Sequence, residues 1–369
     1  MKRLDPKNLR FWLPTYMINK IKRLLRPVEV IYPIHIIFCF VDHFEPFWRE
    51  ADEIAAVKRV KMWEKVYPQL ARRHRDWTGV PLQHTFFYPI EEYDQEILEK
   101  LASLCKLGVG EVEIHYHHNH DTSDNLRNSL NRFKEILWDT HNLLSRHVNS
   151  DEVMYGFIHG NWALDNSRSD GKWCGVNNEI TILRETGCYA DFTLPSAPSD
   201  TQTRKINSIY YATDDPLLPK SHDWGSDVRV GACEKGDLMI IQGPLCLDMG
   251  MWKKIRKPRI ENGEISWDNP PSPRRWNLWL SQWIHVIGKP NWIFIKVHTH
   301  GAQDRNFEVV LGETMDLFLE YVEKEFNDGE KYCLHYVTAR EMYNILKAAE
   351  QGCGPDPTKY RDFLLKKRE

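Results

Sequence analysis

Four histidines lie within six positions of one another in the segment 111–122, which reads Glu-Val-Glu-Ile-His-Tyr-His-His-Asn-His-Asp-Thr. They are four of the sixteen histidines in the chain, and carboxylates flank them on both sides. Neutral imidazole and carboxylate are side chains that bind divalent ions of the zinc, nickel, cobalt or iron type. An apolar run precedes these histidines and helix-start residues follow them. The segment therefore predicts a metal site at the end of a strand.

Polar side chains also follow other short apolar runs, which we interpret as strands separated by helices. Because the carboxyl ends of parallel strands meet at one face, these side chains are expected to converge there. Side chains on a strand alternate between faces, so His118 is expected to point away from His115 and His117, and spacing does not place His120. The polar residues at the strand ends are Asp42, His43, His115, His117, His118, His120, Asp121, His159, Asn161, Trp162, Asp191, His298, Thr299 and His300.

The alternation of strands and helices predicts an α/β protein with a parallel sheet, either barrel-like or doubly wound. It breaks at about residues 196–272, where short β-like pieces and an Asn262-Gly263 hairpin signal predict a β-rich insertion. We divide the chain into a basic amphipathic N-terminal arm at 1–30, a main domain at 31–350 and a polar C-terminal tail at 351–369.

The composition excludes several classes of protein. The chain has 369 residues, of which 42% are hydrophobic, and a formal net charge of −3, so no strongly basic face for nucleic acid is expected. The eight cysteines form no C-x-x-C pair, and several lie in apolar runs as small buried hydrophobes. Neither a signal-peptide pattern nor an apolar stretch of about 18 residues occurs, which predicts a cytoplasmic protein.

Residues 7–26 combine six basic side chains with many apolar ones. A basic amphipathic segment of this kind can lie on an anionic membrane surface, which would make the protein membrane-associated. The alternative is an arm that packs on the main domain. The sequence does not indicate an oligomeric state.

Three segments resemble the motifs of the polysaccharide deacetylase family, the chitooligosaccharide-deacetylase-like carbohydrate esterases on a distorted (β/α) barrel. The family's first motif is a strand that ends in Asp-Asp-Gly-Pro, and residues 40–46 read Phe-Val-Asp-His-Phe-Glu-Pro. Its second motif has Glu followed by two histidines at steps of four, where this chain has Glu113, His117 and Asp121. Its last motif is an apolar strand that ends in His, as residues 293–300 do.

The resemblance covers roughly residues 34–345, and residues 187–195 also resemble a late strand of the family. The chain departs from the family in having Asp-His in place of Asp-Asp and Asp121 in place of the second histidine. The segment His159-Gly160-Asn161-Trp162 stands where the family has an Arg-x-Pro loop.

The resemblance implies a distorted (β/α)7–8 barrel with a β-rich insertion and a metal-dependent hydrolase that deacetylates an N-acylated amino sugar of a polysaccharide or its precursor. In that scheme zinc lowers the pKa of a bound water from about 15.7 toward 7. The resemblance implies that His43, His117 and Asp121 bind the metal, and that His115 could replace one of them. It implies that Asp42 is the general base and that His298 or His300 donates a proton. The implied substrate-binding residues are His159, Asn161, Trp162 and Asp191.

Two other functions remain open at this level. A glycoside hydrolase would need two carboxylates on opposite sides of the scissile bond, for which Asp42 or Glu45 with Asp191 would serve, but it would leave the imidazoles without a role. A catalytically inactive carbohydrate-binding protein of polysaccharide biosynthesis would bind glycan without turnover.

Overall fold

The computed structural model describes residues 7–25, 29–250 and 258–368. Nine α-helices lie in these ranges: α1 (Leu9–Leu25), α2 (Glu53–Arg73), α3 (Gln95–Lys106), α4 (Ser123–Glu135), α5 (Glu179–Glu185), α6 (Pro273–Leu280), α7 (Phe307–Leu311), α8 (Glu313–Phe326) and α9 (Ala339–Glu350). The strands of the same ranges are β1 (Ile34–His43), β2 (His84–Pro89), β3 (Gly110–Tyr116), β4 (Ser145–His147), β5 (Val153–His159), β6 (Cys188–Asp191), β7 (Ile209–Ala212), β8 (Ser226–Asp227), β9 (Leu238–Ile241), β10 (Cys246–Asp248), β11 (Arg259–Glu261), β12 (Trp292–Thr299), β13 (Tyr332–Val337) and β14 (Leu365–Lys367).

A large central sheet connects most of these strands, in the order β12-β1-β2-β3-β5-β6-β9-β7-β8. The pairs from β12 through β9 are parallel, and β13 also pairs parallel with β1. Strands β7 and β8 run antiparallel at one end. The predicted α/β class is therefore confirmed.

Strand β1 shows why a parallel sheet forms here. All ten of its residues are buried, and its sequence is an almost uninterrupted apolar run, as expected for a strand that is covered on both faces. Ile36, Phe38 and Phe40 belong to the larger core on one face, whereas Ile37 and Cys39 belong to the core on the other. The alternation of side chains thus divides one strand between two layers.

Helix boundaries follow local capping chemistry. Thr122 accepts a hydrogen bond from the backbone N of Asn125 (3.3 Å) and starts α4. A break at Gly312 separates α7 from α8. A Cβ on Gly312 would lie 2.3 Å from the carbonyl oxygen of Glu308, so the chain passes too closely there for any other residue.

The predicted β-rich insertion is in part a continuation of the main sheet. Strand β9 pairs parallel with β6, and β7 pairs antiparallel with β9, while β10 and β11 form a separate two-stranded sheet. The C-terminal tail is also packed on the main domain. Its strand β14 pairs with β4, and Leu365 is fully buried.

The two ends of the parallel region approach each other. Lys296, on β12, is buried and donates hydrogen bonds to the carbonyl oxygens of Phe192 and Leu194, just beyond β6 (2.5 Å each). Backbone hydrogen bonds between the described strands leave the sheet open. None of the helices in the described ranges is long and apolar enough to cross a lipid bilayer.

Candidate metal centre

The carboxyl ends of β1, β3 and β12 bring together five side chains of the types that can bind a metal ion. We call these residues the rim cluster: His43, Glu45, His115, His117 and His300. They form two groups that share Glu45, and within each group the ligand atoms lie within 4.8 Å of one another. His43 and His300 form one group with Glu45, and His115 and His117 form the other. His117 and His300 are half-buried, so solvent reaches the rim cluster.

One carboxylate oxygen faces two imidazoles. Oε1 of Glu45 lies 3.3 Å from Nε2 of His115 and 3.4 Å from Nε2 of His117. Four tetrahedral ligands at zinc distances of 2.0–2.1 Å would be separated by about 3.3–3.4 Å, because a tetrahedral edge is about 1.6 times the metal–ligand distance. Both carboxylate–imidazole distances therefore match the separation of two ligands on one ion, and the two imidazole nitrogens lie within 4.8 Å of each other.

The outer nitrogens of the same imidazoles are already bonded. Nδ1 of His115 lies 2.8 Å from the carbonyl oxygen of Ile158, and since a carbonyl only accepts, this nitrogen carries the proton. Nδ1 of His117 lies 2.5 Å from Oε1 of Glu91. Metal-binding histidines usually present one nitrogen to the ion and the other to a carbonyl or carboxylate, as both of these do.

Charge is unevenly distributed among these groups. Burial, together with the charge of His117, lowers the pKa of His115, so its Nε2 presents a lone pair to Glu45. Burial opposes the charged form of His117, but the hydrogen bonds that His117 donates to Glu45 and Glu91 outweigh it and raise the pKa of His117 to about 10. Burial would raise the pKa of Glu45, yet the imidazoles around it, among which His117 donates a hydrogen bond to it, hold that pKa well below its usual range. A carboxylate and a lone pair facing each other favour a cation between them.

His43 lies deep in the rim cluster. Its ring stacks on His300 with centroids 4.7 Å apart and meets the ring of His115 edge-on at 5.0 Å. Its centroid is 6.0 Å from that of His298 and 6.1 Å from that of Trp162. Burial, then the charges of His300, His115 and His298, lower the pKa of His43 well below its usual range. A neutral imidazole of this kind is available as a ligand or acceptor.

The predicted general base Asp42 and the predicted metal ligand Asp121 do not join the rim cluster. The fully buried carboxylate of Asp42 accepts from the backbone N of Gly301 (2.6 Å) and lies 2.9 Å from Nε2 of His84. It is therefore engaged away from the rim and does not suit the role of general base. The carboxylate of Asp121 lies 3.0 Å from Nδ1 of His118, so the predicted ligand set of His43, His117 and Asp121 is not assembled.

The predicted substrate-binding residues do not lie together in one place. Trp162 borders the rim cluster, with its ring centroid 6.1 Å from that of His300, and the preceding Asn161 has a positive φ of 52°. Asp191 is fully buried and accepts hydrogen bonds from the N and Oγ1 of Thr193 (3.0 and 2.7 Å). Burial raises the pKa of Asp191 to about 6. Its position makes it a structural carboxylate rather than one that contacts substrate.

His159 belongs to a second group of possible ligands, which we call the inner cluster: His118, His159, Cys174 and Glu179. All four side chains are buried, and their ligand atoms lie within 4.8 Å of one another. His118 points to this side of β3 while His115 and His117 point to the other, as strand alternation predicts. The two clusters are neighbours, because a Cβ on Gly160 would lie 2.3 Å from Cδ2 of His117.

The residues that the sequence interpretation missed come from loops and from a helix. The sequence suggests Glu45 only as a carboxylate of a glycoside hydrolase, and it does not point to Glu91, Cys174 or Glu179. Glu45 lies three residues beyond Asp42 in the first motif, which is the one signal that pointed to it.

Comparison with protein-family models and with curated proteins found no match to this sequence. The functional assignment therefore depends on the geometry of the rim cluster.

Proposed function

We propose that the protein is a metal-dependent hydrolase whose catalytic ion is held by Glu45, His115 and His117. The observation that supports this most directly is the convergence of two imidazole Nε2 atoms on one oxygen of Glu45, 3.3 and 3.4 Å away. A divalent ion at this position would activate water and polarise a carbonyl, and zinc suits the mixture of imidazole and carboxylate ligands.

The other side chains of the rim have distinct tasks in this proposal. His43, which is buried, accepts hydrogen bonds from the substrate or completes the ligand set. His300 is half-buried at the rim and stacked on His43, and it exchanges a proton with the leaving group. His298 is buried behind them, with its ring 6.0 Å from that of His43, and it orients His43.

The substrate in this proposal is an N-acylated amino sugar of a polysaccharide or its precursor, as the motif resemblance implies. Trp162 supports it, because an aromatic side chain beside the rim offers a face on which a sugar ring can stack. The glycoside hydrolase alternative is weakened, because Asp42 and Asp191 are fully buried and already hydrogen-bonded.

We also propose the distorted (β/α)7–8 barrel as the finer architecture. Lys296 supports this, because its bonds to the carbonyl oxygens beyond β6 span the gap between the edge strand β12 and the far side of the parallel region. In such a barrel, the hydrogen bonds of the Lys296 side chain would close the sheet in place of backbone pairing between two strands.

For the cellular location we propose a cytoplasmic protein that contacts a membrane through α1. Trp12 and Tyr16 pack this helix on the main domain, and Arg23 donates a hydrogen bond to the carbonyl oxygen of Ser281 (2.7 Å). Leu24 and Leu25 remain largely exposed, at 81% and 77%. Co-sedimentation with anionic vesicles, lost in a Leu24→Gln/Leu25→Gln variant, tests this contact, and equal binding of both proteins would contradict it.

Metal content and acetate release together test the hydrolase. We expect the purified chain to hold a divalent ion and to release acetate from an N-acetylglucosamine oligomer, and His117→Ala to lose the rim ion and the activity. His120→Asn is the matched control, because His120 is exposed in the same run of histidines and Asn tolerates its φ of 50°. Glycan binding without turnover in the metal-loaded protein would favour the inactive carbohydrate-binding alternative.

A further inference from the structure

We propose that the inner cluster is a second, closed metal site in which His118, His159, Cys174 and Glu179 bind a structural ion of the zinc type. The site is separate from the rim cluster, and its existence does not depend on hydrolase activity. Its donor set of two imidazoles, one sulfur and one carboxylate fills the four positions of a tetrahedral structural site.

The spacing of the donors fits one ion. Oε1 of Glu179 lies 3.2 Å from Nε2 of His118 and 3.5 Å from Nε2 of His159. Oε2 of Glu179 lies 3.4 Å from Sγ of Cys174. Bonds of 2.0–2.1 Å to nitrogen or oxygen and 2.3 Å to sulfur give tetrahedral edges of about 3.3–3.6 Å. Small rotations of side chains would therefore complete the coordination shell.

The outer nitrogen of each imidazole lies beside an oxygen acceptor, as is usual for histidines that bind metals. Nδ1 of His118 faces Oδ2 of Asp121 at 3.0 Å, and Nδ1 of His159 lies 2.6 Å from the carbonyl oxygen of Gly160. The carbonyl fixes the proton of His159 on Nδ1, which leaves a lone pair on Nε2. That Nε2 is buried and has no hydrogen-bond partner among the described residues, and it faces Glu179. An unpartnered buried lone pair opposite a carboxylate points to a missing cation.

The backbone around Cys174 also favours metal binding by its sulfur. Sγ of Cys174 accepts hydrogen bonds from the backbone N of Asn166 (3.3 Å) and of Val176 (3.4 Å). Burial and the charge of Glu179 raise the pKa of the Cys174 thiol, while these two N–H donors favour its negative form. A bound cation would stabilise the thiolate, which is the form of cysteine that binds metals. Thiolate and carboxylate charges buried together need a counter-charge, which a divalent ion supplies.

Such an ion would hold the loop before α5 against the ends of the paired strands β3 and β5. His118 follows β3, His159 ends β5, Glu179 starts α5, and Cys174 lies in the loop between β5 and α5. This loop begins with Trp162 beside the rim cluster and includes positive φ angles at Asp165 (53°) and Asn166 (52°). Non-glycine residues adopt such backbone only when their surroundings hold them there. The inner ion would therefore hold the loop that places Trp162.

X-ray absorption of the wild-type full chain loaded with zinc alone provides the direct test. We expect a zinc shell that contains sulfur at about 2.3 Å, which the rim cluster cannot provide because it has no cysteine. In the cobalt-loaded protein we expect a thiolate-to-metal absorption band. A zinc shell of nitrogen and oxygen alone would overturn the proposal, and no variant has to fold for this measurement.

Two variants then separate the inner cluster from the rim. Cys174→Ser should lose one bound ion per chain and the cobalt–thiolate band, whereas Cys188→Ser, another buried free cysteine, should keep both. His117→Ala should keep the sulfur signal even though it loses the rim ion. If Cys174→Ser retains the band, or if the wild-type ion leaves in mild chelator without any decrease in Tm, the closed site is not present. Loss of activity alone, with the sulfur signal intact, would count against the hydrolase only.

Discussion

The carboxylate of Asp42 lies 2.9 Å from Nε2 of His84, and both side chains are fully buried. Its second oxygen accepts from the backbone N of Gly301 at 2.6 Å. This carboxylate stands beside His43 in the sequence, yet its bonds connect β1 to β2 and to the turn after β12. Asp42 therefore stabilises the sheet from which the rim cluster projects.

Replacing Asp42 should lower the free energy of unfolding rather than act directly on catalysis. Asp42→Ala leaves His84 and the Gly301 N–H buried without a partner, and breaking a buried pair of this kind costs about 3–5 kcal/mol. Chemical denaturation should show this loss in the free energy of unfolding. The metal content of the variant that remains folded should equal that of the wild type. A loss of turnover at unchanged stability would instead favour Asp42 as the general base.

Glu91 should tune metal affinity at the rim. It orients His117 through the 2.5 Å contact to Nδ1, and removing such an outer carboxylate commonly weakens metal binding by about 10–100-fold. Competition with a chelator, measured for Glu91→Gln, should show this decrease. Glu96→Gln is the control, since Glu96 is exposed on α3 and pairs with Lys100. Equal affinities in both variants would exclude Glu91 from the metal centre.

Gly160 should be intolerant of any side chain. A Cβ there would lie 2.3 Å from Cδ2 and 2.8 Å from Cα of His117, so either the histidine or its backbone must move. We expect Gly160→Ala to weaken binding of the rim ion and to cost roughly 1–3 kcal/mol of stability, as overpacking does. Gly354→Ala, where the nearest atom is the Tyr360 hydroxyl at 3.4 Å, should change neither. A normal rim ion in Gly160→Ala would show that His117 is not held in this position.

A buried histidine pair should make the protein sensitive to acid. Nδ1 of His35 lies 2.9 Å from Nε2 of His335, and burial lowers the pKa of His35 to about 4. The folded state therefore resists protonation between pH 6.5 and 4, while the unfolded chain binds a proton. Stability should be fully present above pH 6.5 and should decrease toward pH 4, by at most about 1.4 kcal/mol per pH unit for each histidine.

The measurement is the free energy of unfolding against pH in chelator-treated protein, so that metal release does not contribute. His35→Phe keeps an aromatic ring beside Trp292 but removes one titrating group, and its slope below pH 6.5 should be shallower than that of the wild type. Identical slopes would show that the pair does not titrate in this range.

Local rules account for much of the site. His43, His115 and His117 come together because they lie at or near the ends of parallel strands, which meet at one edge of the sheet. His118 faces the other side because side chains alternate along a strand. The positions of strand ends and the alternation of side chains are both local properties, so both can be predicted from a single sequence.

The identity of the shared carboxylates could not be predicted in the same way. Glu45 and Glu91 lie just beyond strand ends, and Glu179 starts a short helix, so no periodic pattern relates them to the histidines. Cys174 lies in a loop whose positive φ angles depend on long-range contacts. Their distances to the imidazoles are set by packing between segments that are far apart in the sequence.

The amino-acid sequence by itself determined the α/β class, the strand ends and the metal-binding type of the side chains there, because each depends on local composition and period. Only the tertiary structure decided which donors share a centre. Asp42 turns to His84 and Asp121 turns to His118, because a carboxylate points to whichever donors the packed neighbours place within hydrogen-bond reach.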